Sequence, residues 1–122
     1  MFSPFPKTTA DGLGGSDAGD IFAIGSTVYA ATGNLSISTD AGATFTTRTT
    51  ANGLGSDQVE SVYAVGSTVY AGTYDRGLSI SHDGGLTFTR RTTADGLGSN
   101  WVWSIFATSS TVYVGLYPYC FP

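Results

Sequence analysis

A seven-residue phrase occurs three times in this chain of 122 residues, and its return constrains the fold more than any other feature. Thr8-Thr9-Ala10-Asp11-Gly12-Leu13-Gly14 comes back as Thr49-Thr50-Ala51-Asn52-Gly53-Leu54-Gly55. It comes back again as Thr92-Thr93-Ala94-Asp95-Gly96-Leu97-Gly98, so the offsets are 41 and 43 residues. The run Ser26-Thr27-Val28-Tyr29 recurs from Ser67 and from Ser110 at the same offsets. The two extra residues of the second copy fall between Gly72 and Leu78, around Asp75 and Arg76. An insertion confined to one spot marks a loop between preserved elements. A period of this length belongs to arrays of supersecondary units, each too small to bury its own apolar face.

Each copy divides into four short strand-like runs. In the second copy they are Val59–Val65, Thr68–Thr73, Leu78–Ser81 and 86–92. Gly66-Ser67, Asp75-Arg76-Gly77 and Asp83-Gly84-Gly85 separate them as turn signals. The first run alternates only partly, which suits a strand covered on both faces. The third alternates with period two. The fourth is polar on one side and ends in Arg90 and Arg91, which suits an outer edge strand guarded by charge. Four strands every 40 to 45 residues, apolar inside and polar outside, predict an all-β fold of the β-propeller type.

Composition excludes several alternatives. Only 11% of residues are charged, with one Glu and one Lys, so the usual helix formers are scarce. The net charge of −4 lacks the basic footprint of a nucleic-acid binder. No apolar run approaches the roughly 18 residues that span a bilayer. The single Cys120 excludes an internal disulfide framework. Met1-Phe2-Ser3-Pro4-Phe5-Pro6 has neither the basic nor the apolar region of a signal peptide. Leu, Ile, Val and Phe number 27, and with seven Tyr they suffice for a core.

Two stretches carry a family resemblance. Ser38-Thr39-Asp40-Ala41-Gly42-Ala43-Thr44-Phe45 and Ser81-His82-Asp83-Gly84-Gly85-Leu86-Thr87-Phe88 resemble the Asp-box, or BNR repeat, S-x-D-x-G-x-T-W/F. Residues 92–115, centred on Asp95-Gly96-Leu97-Gly98-Ser99-Asn100, look like the blade-start motif of two-component-regulator propellers. The resemblance implies that each box is the turn between the third and fourth strands of a blade. It implies no single activity, because such propellers include sialidases, other glycoside hydrolases, sorting receptors, assembly factors and lectin-like binders. The residues themselves point to local structure: Asp40 and Asp83 accept turn N–H groups, Gly42 and Gly85 take positive φ, and Phe45 and Phe88 pack beneath. Asp11, Asn52 and Asp95 precede Gly between copies and read as turn caps. No D-x-D-x-D pattern supports calcium.

The expected blades are 16–48, 57–92, and 101–122 completed by 1–9, the last split between the two ends of the chain. Three blades do not close a ring. The expectation is a homo-oligomer joined into one ring, a dimer of six blades, with a trimer of nine as the alternative. The split blade forms within one chain or by exchange of residues 2–9 between two. Cys120 lies at that seam, either as a small apolar side chain or as a disulfide to another copy.

For function, positions where the copies differ are those that blade packing does not dictate. Asp17 and Asp20, Gln58 and Glu60, and Trp101 and Trp103 lie within the equivalent stretches 17–20, 58–61 and 101–104 at the start of the inner strands, bordering the channel mouth. Trp beside carboxylates and amides stacks and hydrogen-bonds a sugar ring; the alternative is that the Trp pair fills space between blades. Tyr74, Asp75 and Arg76 in the inserted loop form a second candidate, against a solvated loop. His82, the one His, reads as a solvated turn residue. The expectation is a non-enzymatic binding module, lectin-like, with no cofactor and no metal, binding a glycan or protein and no nucleic acid or membrane. A repeat scaffold with no ligand and a sialidase-like hydrolase fragment are the alternatives. The hydrolase reading is disfavoured because three of the four Arg, Arg48, Arg90 and Arg91, fall on outer strands and Glu60 is the only Glu.

Overall fold

The computed structural model describes residues 19–56 and 58–116. They form ten strands: β1 (Asp20–Ile24), β2 (Thr27–Thr32), β3 (Asn34–Ser38), β4 (Thr46–Arg48), β5 (Val59–Val65), β6 (Thr68–Thr73), β7 (Leu78–Ser81), β8 (Thr89–Arg91), β9 (Val102–Ala107) and β10 (Val112–Leu116). Strands β1 to β4 make one antiparallel meander, β5 to β8 a second, and β9 with β10 a two-stranded sheet. Among the described residues the fold is all-β apart from single 3-10 turns at Thr50–Asn52 and Thr93–Asp95. The described residues form three sheets side by side and not a closed ring. The third sheet shows two of its four expected strands; residues 1–9 and Cys120 lie outside the described residues.

Three of the four strands expected in the second copy have the expected bounds. The fourth, expected over 86–92, is only Thr89–Arg91. Asp83 Oδ1 accepts the N–H groups of Leu86 and Thr87 at 3.1 and 2.9 Å, which holds those residues in the turn and out of the ladder.

The sheets join through equivalent residues. Tyr29, Leu35 and Ile37 of the first sheet pack on Val59, Val62, Ala64 and Val69 of the second. One period later, Tyr70, Leu78 and Ile80 pack on Val102, Ile105 and Ala107. Along the first strands, Phe22, Tyr63 and Phe106 hold the same repeat position and stack in series, with centroids 4.5 and 5.4 Å apart. Phe88 is buried against the first sheet, whereas Phe45, its equivalent, is half-buried.

The loops between sheets are capped as their residues predict. Thr49 N–H donates to Asn52 Oδ1 at 3.0 Å, and Ala51 N–H to Thr49 Oγ1 at 3.2 Å. Thr92, Ala94 and Asp95 repeat the arrangement, a reciprocal capping box in each case. Gly53 and Gly96 then reverse the chain at φ of 95° and 104°. Asn52 and Asp95 are thus turn caps; Asp11 lies outside the described residues.

Candidate functional site

The two S-x-D-x-G-x-T-F turns are built alike. Ser38 Oγ donates to Asp40 Oδ1 at 2.7 Å and accepts from Gly42 N–H at 2.8 Å. Thr44 gives its N–H to Oδ1 at 2.9 Å and its hydroxyl to Oδ2 at 2.6 Å. Ser81, Asp83, Gly85 and Thr87 make the same bonds at 2.6, 2.8, 2.9 and 2.6 Å. The Thr44 hydroxyl and N–H, with Ser38, hold the Asp40 carboxyl well below the ordinary carboxylate range; Ser81 and Thr87 do so for Asp83. Each carboxylate is consumed by its own turn. A second bond anchors the turn to the first hairpin of its sheet, Ala41 N–H to Ser26 O at 2.8 Å and Gly84 N–H to Ser67 O at 2.9 Å. His82 is exposed.

The divergent positions gather elsewhere. A cleft of about 510 Å³ is lined by Gly19, Ala31, Gly33, Gln58, Val59, Glu60 and Trp103. Gly19, Glu60 and Trp103 are one repeat position in three successive sheets, so the three units converge on this opening. A local irregularity aims two of them. In the pairing of β5 with β6, Val59 faces Thr73 and Ser61 faces Gly72, leaving Glu60 as the extra residue of a bulge. In the pairing of β9 with β10, Val102 faces Leu116 and Ser104 faces Gly115, leaving Trp103 likewise. A bulged residue is turned out of the regular pleat, here toward the cleft.

Buried Ser56 and Ser99 fix the approach to these strands. Their hydroxyls accept the N–H of the residue two positions on, Gln58 at 3.0 Å and Trp101 at 3.1 Å. Trp101 is half-buried. Its Nε1 donates to Glu60 Oε1 at 2.6 Å, and its ring meets Tyr74 edge-on at 4.5 Å. Trp103 is 58% exposed. The two Trp residues therefore divide their labour: Trp101 orients Glu60, and Trp103 presents a face to solvent.

Of the expected channel-mouth residues, Gln58, Glu60 and Trp103 line the cleft and Trp101 supports it. Asp20 does not line it. Its Oδ1 accepts from Ile21 N–H at 3.0 Å and its Oδ2 from Val62 N–H at 3.1 Å, so it bridges β1 to β5. Asp17 lies outside the described residues. In the inserted loop, Tyr74 buttresses Trp101, and exposed Asp75 and Arg76 pair with each other at 3.7 Å. Sequence reasoning missed the cleft floor of Gly19, Ala31 and Gly33. The available signal was the absence of a large side chain at position 19, where the other copies carry Glu60 and Trp103.

Among the described residues no three His, Cys, Asp or Glu side chains gather to hold a metal, and no helix is long and apolar enough to cross a membrane. Compared with known proteins, the chain matches no protein-family model and no curated protein.

Proposed function

We propose that this chain is a segment of an Asp-box-type β-propeller that acts as a non-enzymatic binding module, taking a carbohydrate at the cleft around Glu60 and Trp103. The observation that carries this reading is convergence. Positions that repeat packing leaves free to differ are brought together at one opening, with an exposed indole, an oriented carboxylate and an exposed amide. That is the complement of a pyranose, whose C–H face stacks on an aromatic ring while its hydroxyls donate and accept at the edge. Binding without hydrolysis is supported by the commitments of the carboxylates: Glu60 holds Trp101 and Asp20 holds Val62, whereas glycosidic cleavage works with a pair flanking the bond.

Further copies of the chain complete the ring, two giving six blades. Support comes from equivalent residues at the ends of the array. Val62 is 3% exposed and its equivalent Ile21 60%; Tyr70 is 8% exposed and its equivalent Tyr113 61%. Within the chain, Tyr29 lies with Val62 in one core cluster, and Tyr70 with Ile105 in the next. The same step sets Tyr113 of one copy on Ile21 of another.

A glycan array probed with the folded chain tests the first part. A set of bound glycans that Trp103→Ala abolishes is expected; an empty array overturns it. Light scattering tests the second. A mass of two chains, reduced to one by Tyr113→Glu, is expected, and a single-chain mass for the unaltered protein at micromolar concentration overturns it.

A further inference from the structure

We infer that the cleft selects an amino sugar, a pyranose carrying an ammonium group, over neutral sugars; this rests on the carbohydrate reading above. The argument is one of charge balance. Glu60 accepts from Trp101 at Oε1, and its Oε2 accepts no bond from any described residue. None of the residues that line the cleft is Lys, Arg or His. The one ion pair among the described residues, Asp75 with Arg76, is spent in the inserted loop. Glu60 therefore brings a negative charge to the cleft with no counter-ion beside it among the described residues.

A neutral sugar would offer that carboxylate only hydroxyl donors. Both bonds are charge-assisted by the carboxylate, but an ammonium adds the attraction between two full charges, and salt screens that added attraction. Trp103 adds to the same preference, because an indole face attracts a cation as well as a C–H surface. The net charge of −4 raises the local concentration of cationic ligands. The floor leaves room. A Cβ built on Gly19 would stand 3.8 Å from Glu60 O and 3.9 Å from Ala31 O, ordinary contact distances, so a ligand ring can settle over the backbone there.

The test is calorimetric titration of the full chain with three tetrasaccharides of the same β-1,4 linkage: glucosamine, N-acetylglucosamine and glucose. The glucosamine oligomer is expected to bind at least tenfold more tightly than the other two at low salt. That margin should shrink severalfold in 0.5 M sodium chloride and vanish in Glu60→Gln, whose amide oxygen still accepts from Trp101. Circular dichroism melting confirms that the variant is folded; should Glu60→Gln not fold, the salt titration of the unaltered protein decides. Equal affinity for the three oligomers, or a margin that survives both Glu60→Gln and salt, overturns the charge inference and leaves carbohydrate binding standing. Failure of all three to bind the folded protein overturns the inference, while the glycan array separately decides the broader reading.

Discussion

Arg48, at the end of β4, donates from Nε to the backbone carbonyl of Gly85 at 2.8 Å. This bond ties the outer strand of the first sheet to the buried turn of the second. Gly85 also meets Ile37: a Cβ there would stand 2.5 Å from Ile37 Cδ1, at a φ of 96°. Arg48→Met keeps most of the stem and loses the donor. It is expected to cost about 1–2 kcal/mol. Gly85→Ala adds backbone strain to the overlap and is expected to cost about 2 kcal/mol or more. Urea unfolding of both variants gives the comparison, and an Arg48→Met midpoint equal to that of the unaltered protein would remove the latch from the account.

Ala41 is the one described non-glycine residue at positive φ, 61°, and its equivalent Gly84 sits at 73°. Nothing lies within 4 Å of a Cβ built on Gly84, so only backbone preference is at stake. Ala41→Gly should stabilise by about 0.5 kcal/mol and Gly84→Ala destabilise by about 1 kcal/mol. Opposite shifts in melting temperature are the expected result.

Acid should weaken the two Asp turns. The carboxyls of Asp40 and Asp83 are held below their ordinary 3.8 by hydroxyl and amide donors. A lowered folded-state value means that stability is fully present above the unfolded value and falls as pH drops below about 4. Asp40→Asn with Asp83→Asn should lower stability at pH 7 and flatten the decline between pH 5 and 2.5. Unfolding curves collected across that range decide it; an unchanged slope would show that other carboxyls set the acid limit.

The two Trp residues should separate stability from binding. Trp101→Ala removes the bond to Glu60 and the contact with Tyr74, at an expected cost of about 2 kcal/mol. Trp103→Ala should cost under about 1 kcal/mol while abolishing glycan binding. Melting and titration on the same samples measure both, and a reversed order of stability costs would contradict the division of roles.

Ser61 carries a buried hydroxyl with no hydrogen-bond partner among the described residues. It faces Gly72, where an added Cβ would collide with Ser61 Oγ. Ser61→Ala removes an unsatisfied group and is expected to be neutral or to stabilise by up to about 1 kcal/mol. A loss greater than that in chemical denaturation would reveal a partner for the hydroxyl.

Much of the fold was legible because period and turn chemistry act locally. Val59–Val65, Thr68–Thr73 and Leu78–Ser81 are bounded by Gly66-Ser67 and Asp83-Gly84-Gly85, and those residues force reversals whatever packs beyond them. The short β8 was less legible, because Asp83 takes backbone donors that alternation alone assigns to a ladder. For the site, divergence between copies pointed to Gln58, Glu60 and Trp103. It could not separate Asp20, whose bond crosses from β1 to Val62 on another sheet. Nor could it foresee the bulges at Glu60 and Trp103, since a bulge is settled by the pairing of two strands and leaves no mark in either one alone.

Among the described residues, the second sheet is flanked on both sides, while the first and third each pack against one neighbour. In the single chain that Tyr113→Glu is expected to leave, a linear array whose cohesion comes from neighbours, the middle member opens last. Amide hydrogens along β6 should therefore outlast those of β2 and β10 when that variant is placed in deuterated water, although the three strands carry nearly the same residues.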